Sequence, residues 1–481
     1  MLYNDEKGCL VSLKKFLSNL RFNKISRFIE YIRKKHPRKF LAFKFIFIFG
    51  LFYALCISKL DPDFGWHLRD GFYFRQYGIP SHDIYTYTAS NFHWIAFEWG
   101  NDVIDSYIYG WGSYIALALL FSLIWTLSLF VNNKSKNFLV LFIATLAIAP
   151  YSGIRAIAWT VLAFSILMRL SSSKNKYLRL LIPFLFIAWA NIHAGFIAGL
   201  FFLFYLAISK KSFYWLKVFL ICILATFINP YGPGLYEEII RTLSTPSLHT
   251  YITEWHYFYI LPPSILYGIF WGVGFSLYDN KKIKNLLRLD TLLAYSALDA
   301  SRNVPLFVIG SINHTNEYVN NIYHSFPKKI DKIGKIILIT LTFFFIILTI
   351  VSLNYSFQIG SLREANFPVQ GVAYLQKHNC KGRVFNDYDY GGYIIWKLPN
   401  SRVFIDGRMP TWKNTTGKLY MDQYLSVLNN KKTQNKIFKE YNIQCVLVPY
   451  TTSFQRLIFD LKSKGWNKVN SDNKYVLLVN K

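Results

Sequence analysis

Long apolar runs, each closed by a short polar knot, recur from Leu41 to about Leu353. A bilayer core about 30 Å thick is crossed by about 20 apolar residues in helical form. On that measure the pattern predicts about eleven membrane-crossing helices, the first over 41–58 and the last over about 334–354. Several spans are short, such as 137–150 and 178–190, and need protein rather than lipid around them, so a compact bundle follows. After about Tyr355 the pattern changes. Strand-like segments at 383–386, 392–396, 402–405, 445–449 and 475–479 alternate with helical ones around 369–378, 433–441 and 453–464. That alternation predicts a small α/β sandwich. The fold class is therefore a polytopic α-helical membrane protein with a C-terminal α/β domain. It divides into a basic segment 1–40, a transmembrane domain 41–354 and a tail domain 355–481.

Charge orients the bundle. The first 44 residues hold twelve Lys/Arg against Asp5, Glu6 and Glu30. This region is too long, and lacks the small-residue cleavage site, to be a removable signal peptide. It reads as a cytoplasmic segment, amphipathic in part, with Leu13, Phe16, Leu17 and Leu20 on one helical face. Basic residues then mark alternate loops: Lys134 and Lys136, Lys174 and Lys176, Lys210 with Lys211 and Lys217, Lys281 through Arg288, and 328–335. The intervening loops, 59–112, 151–154, 191–195, 229–264 and 301–305, are poor in them; 59–112 carries three Lys/Arg and seven Asp/Glu. The positive-inside rule therefore places the N-terminus in the cytoplasm and the tail domain outside. The net charge of +28 would point to nucleic acid in a soluble chain. Here it decorates cytoplasmic loops and meets anionic lipids, and no nucleic-acid partner is expected. Cys380 and Cys445 share the external domain and could pair, although no spacing specifies it.

The external loops carry the ionisable groups. The first opens Asp61-Pro62-Asp63-Phe64-Gly65-Trp66-His67-Leu68-Arg69-Asp70-Gly71. Two carboxylates two residues apart, beside a histidine at the membrane boundary, need a cation, a metal or a substrate proton, or else form a solvated helix cap. Pro62 favours an extended Asp61, so both side chains would point the same way. Trp94 and Trp99 read as interfacial anchors. His193 lies in a turn between two short helices, facing a cavity or making an interhelical hydrogen bond. Glu254 comes late in the large external loop, and Arg302 at the next external turn. An arginine at a membrane boundary suits a lipid phosphate, because its fork bonds two oxygens at once. Plain snorkelling is the competing reading of Arg302, and Arg155 is a similar candidate.

An Asp-x-Asp just after the first transmembrane helix, ahead of a long external loop and many further helices, resembles the GT-C superfamily of membrane glycosyltransferases. The stretch 61–71, with Asp83, Trp94 and Trp99, is similar to a poorly characterised bacterial branch of it. Glu254 resembles the late-loop glutamate that organises the acidic site of oligosaccharyltransferase catalytic subunits. In the tail, Asp389-Tyr390-Gly391 matches the end of their Trp-Trp-Asp-Tyr-Gly acceptor motif, while Asp387 and Tyr388 stand where the tryptophans would be. Where those enzymes carry a second acidic pair after the third helix, this chain reads Pro150-Tyr151-Ser152-Gly153-Ile154-Arg155.

The resemblance implies transfer of a sugar or glycan from a polyprenyl-phosphate-type donor to an envelope glycan, lipid or protein, at the external face of a bacterial cell membrane. Asp61 and Asp63 would be catalytic, or would hold Mg²⁺ or Mn²⁺ together with Glu254. His67 would support the acidic site. Arg302, His193 and Arg155 would hold the donor phosphate, and Asp389 and Tyr390 the acceptor. Without the tryptophan pair, transfer to Asn-x-Ser/Thr peptides is not expected. A lipid or glycan transporter or flippase would instead carry mid-helix charges and internal repeats. A non-catalytic envelope-assembly protein would keep the fold and tolerate loss of Asp61 and Asp63. The topology is checked by substituted-cysteine labelling of intact cells: Asp83 and tail positions should label from outside, and Lys134, Lys176 and Lys282 only after permeabilisation. A tail that is protected in intact cells would overturn the assignment.

Overall fold

The computed structural model describes residues 35–134, 136–278, 283–325, 364, 366–378 and 380–480. The predicted amphipathic segment and the last predicted span, 334–354, lie outside the described residues. Helix α1 (Pro37–Ser58) opens on a proline, whose missing N–H and fixed φ suit a first helical position. One narrow face, Ile48, Phe52, Leu55 and Cys56, is buried, while Phe43 and Ile46 point outward. Helix α2 (Phe64–Tyr77) follows at once, then an irregular stretch to α3 (Trp99–Val131). Helix α3 breaks at Gly112–Ser113, where Ser113 takes φ 56°. Its first part carries Asp102 and Asp105, and its second is apolar all round. Glycine–serine pairs are a common cause of such kinks.

Apolar helices α4 (Phe138–Ile148), α5 (Ile157–Ser171), α6 (Ile182–Ile192), α7 (Phe196–Ser209) and α8 (Phe213–Thr226) come next. Then come amphipathic α9 (Leu235–Leu243), α10 (Pro262–Tyr278), α11 (Leu289–Asp299) and α12 (Val304–Ser325). Among the described residues only α1 and α3 are long and apolar enough to cross a membrane by length alone. The 14 residues of α7 and of α8 reach about 21 Å, so such helices depend on their neighbours.

The tail contains α13 (Val369–His378), β1 (Arg383–Asn386), α14 (Gly391–Lys397), α15 (Tyr420–Asn429), α16 (Lys431–Glu440), β2 (Ile443–Pro449), α17 (Thr452–Ser463), β3 (Asn467–Ser471) and β4 (Tyr475–Val479). The sheet order is β1-β2-β4-β3, with β1 parallel to β2 and the other pairs antiparallel. Three of the predicted strands form and two do not. Segment 392–396 is helical despite its Ile-Ile pair, because it is buried on nearly every side and packing outweighs a local strand preference. Segment 402–405 joins the first loop instead of the sheet: Val403 N donates to Tyr85 O at 2.9 Å, and Tyr87 N to Val403 O at 3.2 Å. The Asn386 side chain ties it back to β1, accepting from Phe404 N and donating to Ile405 O. Strand β3 and helix α15 are additions to the expected set. Cys380 and Cys445 are joined by a disulfide that links the approach to β1 with β2.

The first loop shares its core with the tail. Trp66, Phe74, Tyr85, Tyr87 and Trp94 pack among Phe385, Phe404, Met409 and Trp412. Trp94 is thus buried between the two parts and is not an interfacial anchor. At its side lies Arg408, its side chain 3% exposed, hydrogen-bonded to Asp406 through Nε at 2.9 Å and Nη2 at 2.7 Å, and ion-paired with Asp83 of the loop at 2.8 Å. The rings of Trp94, Tyr85 and Trp412 stand 4.6, 5.0 and 5.3 Å from its guanidinium carbon. Removing one member of a buried ion pair typically costs about 3–5 kcal/mol. Arg408→Ala should therefore unfold at a markedly lower temperature than wild type, with Arg408→Lys recovering only part. An unchanged unfolding temperature would show that the clamp carries no stability.

Candidate active site

Asp61 and Asp63 sit in the turn between α1 and α2. Pro62 occupies the turn position its ring favours, and Asp61 Oδ1 accepts the N–H of Asp63 at 2.9 Å. This turn replaces the extended geometry expected from the sequence, so the two carboxylates address different partners. Asp61 Oδ2 meets Arg155 Nε at 2.9 Å. Asp63 Oδ1 accepts the Trp66 indole N–H at 2.9 Å, and although Asp63 stands at the N-cap of α2, its side chain caps no backbone N–H. Burial, then the charge of Asp61, push the Asp63 carboxyl up to about 7.

Behind Asp63 runs a buried acid–base network. The His67 ring lies tilted against Trp66, its Nδ1 is 2.6 Å from Asp102 Oδ1, and its Nε2 is 3.7 Å from Glu98 Oε2. His193 Nε2 is 3.3 Å from the other oxygen of Glu98. Its Nδ1 accepts the Gly195 N–H at 2.9 Å, which assigns the proton of the neutral ring to Nε2, facing Glu98. Thr160 Oγ1 also lies 2.8 Å from Nδ1. Burial pushes the Glu98 carboxyl up to about 7. Both readings of His193 therefore meet in one residue, which bonds helix α5 and faces the acidic cluster. Glu98 and Asp102 were visible in the sequence only as part of an acidic loop. Their spacing of four at the start of α3 is the signal that places both on one face. Trp99, read as an anchor, instead donates to Asn191 Oδ1 at 3.2 Å.

Arg155 projects from the turn between α4 and α5 and bridges two elements. Its Nη2 donates to Glu254 Oε1, from the single turn Thr253–Trp255, while its Nε holds Asp61. Arg302, in the turn Ser301–Asn303, lies over the Trp255 ring at 4.8 Å, and its charge is felt by Glu254, Glu98 and Asp63. Asp61, Asp63 and Glu254 do not converge as a cation cage. Among the described residues no three His, Cys, Asp or Glu side chains are arranged to hold a metal ion, and Asp61 and Glu254 are both engaged by Arg155.

The tail roofs this cluster through glycines. A Cβ on Gly392 would lie 2.3 Å from Pro62 O, and one on Gly65 would lie 2.0 Å from Gly392 O. A Cβ on Gly407 would meet Asp63 Oδ1 at 1.7 Å. Asp389 is exposed at this edge, where the charge of Asp61 reaches it. Tyr390 does not reach the site: it is 5% exposed, inside the tail core, because the turn Tyr388–Tyr390 rotates it inward. Tyr388 faces the cluster in its place, and its hydroxyl donates to Gly407 O at 3.2 Å. Asp387 is structural, capping Asp389 N and accepting from Tyr424.

No protein-family model matches this sequence, and no curated protein does. Among solved structures it is similar to the archaeal oligosaccharyltransferase AglB from Archaeoglobus fulgidus in complex with an inhibitory peptide and a dolichol-phosphate. The TM-score is 0.55 at 10% identity, over 87% of this chain and 70% of that one. The chain has the oligosaccharyltransferase fold. The apo form of the Archaeoglobus fulgidus enzyme matches with a TM-score of 0.53, also at 10% identity, over 86% of this chain and 70% of that one. At this identity the likeness is one of fold.

The glycine contacts give a direct check. Gly392→Ala drives a methyl into a backbone oxygen, a change that typically costs about 1–3 kcal/mol in a packed interface. It should lower the unfolding temperature and expose the tail to protease. A variant as protected as wild type would mean that the roof is not held at this contact.

Proposed function

We propose that the protein is a membrane glycosyltransferase that moves a sugar or glycan from a polyprenyl-phosphate-type donor to an envelope glycan, lipid or protein on the external face of a bacterial membrane. The observation that carries this reading is the single cluster in which Asp63, Glu98, Arg155 and Arg302 meet under the tail, on a fold shared with an oligosaccharyltransferase. The neighbour's dolichol-phosphate supports a lipid-linked donor. The disulfide supports an external tail, since such bonds persist in oxidising compartments.

In this reading Asp63 takes the proton of the acceptor hydroxyl. The acceptor oxygen bonds to the anomeric carbon of the donor as the bond from that carbon to the phosphate oxygen breaks, and the electron pair leaves with the lipid phosphate. Arg302, which has no hydrogen bond to another side chain among the described residues, offers its guanidinium to the departing charge. Asp61 is held by Arg155, which makes Asp63 the better base. A carboxyl poised near neutrality suits that task, because it is ionised enough to accept a proton and basic enough to hold it. Asp389, with Tyr388 in place of Tyr390, lines the acceptor side. The departure from the Trp-Trp pair favours an acceptor other than an Asn-x-Ser/Thr peptide.

The test is substitution with isosteric amides. Removing a general base typically costs on the order of 10²–10⁴ in rate. Asp63→Asn should insert and fold normally yet form no cell-surface glycoconjugate, and Asp61→Asn should be impaired. Wild-type glycoconjugate levels in both variants would sink the reading in favour of a non-catalytic assembly protein. Because the base acts ionised, transfer should rise with pH through about 7, following the carboxyl of Asp63. That limb should persist in Glu98→Gln. A limb that disappears there would move the base to Glu98.

A further inference from the structure

Two carboxylates from distant parts of the chain, Asp61 after α1 and Glu254 in the late external loop, face each other across a narrow gap. Such a pair is what a divalent cation would bridge. Here the gap is filled by a side chain: Arg155 holds Asp61 through Nε at 2.9 Å and Glu254 through Nη2. Two further oxygens near it also carry a hydrogen bond. Asp61 Oδ1 accepts the Asp63 N–H, and Asp63 Oδ1 accepts the Trp66 indole. Mg²⁺ requires oxygens in a near-octahedral shell at about 2.0–2.1 Å, so to bridge Asp61 and Glu254 it would have to displace the guanidinium from both.

Charge argues the same way. Arg302 faces the cluster from the opposite turn, and Lys59, which donates to Ala149 O at 3.4 Å, adds its charge beside Arg155. Two guanidinium groups thus already stand among Asp61, Asp63, Glu98 and Glu254, with Lys59 beside them. A doubly charged ion placed among them would be repelled by both guanidinium groups, and repulsion in a half-buried site is weakly screened. The guanidinium also does what the ion would do for a phosphate. Its Nη1 makes no hydrogen bond to the protein among the described residues, and a planar fork already anchored at two corners presents the third without reorganisation.

We propose that Arg155 takes the place of a divalent cation in this site: it bridges Asp61 and Glu254, keeps Mg²⁺ and Mn²⁺ out, and offers Nη1 to a phosphate oxygen of the donor. The role on the donor rests on the transferase reading above, whereas exclusion of the ion does not, and the experiment separates the two. Mn²⁺ is titrated into the purified full-length protein and free ion is followed by its paramagnetic resonance signal. Wild type should take up no ion with a dissociation constant below about 10⁻⁴ M, the range a dedicated carboxylate site reaches. Arg155→Ala, which frees both carboxylates, should gain one saturable site, and Asp61→Asn added to that variant should remove it.

If Arg155→Ala does not fold, Arg155→Lys keeps the charge. It should still exclude Mn²⁺ but lose the bidentate bridge, lowering transfer about 10- to 100-fold. Tight Mn²⁺ binding by wild type that Asp61→Asn abolishes would overturn the proposal. So would a folded Arg155→Ala protein that still takes up no ion. Transfer should proceed unchanged in excess chelator. Loss of transfer on chelation, restored by Mg²⁺, would also overturn it. Should no sugar transfer be found at all, the titration still decides what Arg155 does to the ion.

Discussion

Arg408 places a positive charge where water scarcely reaches, which is tolerable only because Asp406 meets it from the tail and Asp83 from the first loop. An isolated ion in such surroundings would cost several kcal/mol, so the three groups must come together or not at all. Three aromatic rings close around the guanidinium and exclude solvent from the pair. The consequence is positional. Asp406 and Arg408 flank Gly407, and Gly407 is the residue laid on the carboxylate of Asp63. A constraint that serves to dock the tail therefore also sets the roof of the acidic cluster.

Under that roof the carboxylates are differentiated by their neighbours. Asp61 is ion-paired, Asp63 is bonded to an indole, and Glu98 is shared between two imidazoles. Asp63 and Glu98 are both raised toward neutrality by burial. The positive side is equally divided. Arg155 is spent on two carboxylates, whereas Arg302 rests on a tryptophan face with its charge turned to the cluster.

The residues that build the cluster come from the turn after α1, the start of α3, the turn before α5, the turn after α6, the late external loop and the turn before α12. All are at helix ends on one side of the bundle. Short helices such as α7 and α8 fix those ends relative to each other only as a packed group, so the geometry of the site depends on the bundle as a whole.

What the sequence determined by itself was local. The apolar runs, the presence of two carboxylates at the end of α1, and strands β1, β2 and β4 follow from composition and spacing over a few residues, where hydrophobic periodicity acts without help from elsewhere. The candidates His67, Arg155, His193, Glu254 and Arg302 were legible as ionisable groups at helix ends, but not their pairing. That Arg155 belongs to both Asp61 and Glu254, that Glu98 joins His67 to His193, and that Tyr388 rather than Tyr390 faces the cluster were decided by the tertiary structure. So was the helix over Gly391–Lys397, whose β-branched pair reads as a strand until burial against α2 is counted. The physical reason is range. An ion pair or a buried face is satisfied by whatever the fold brings to it, and partners a hundred residues apart leave no mark on the local pattern of either segment.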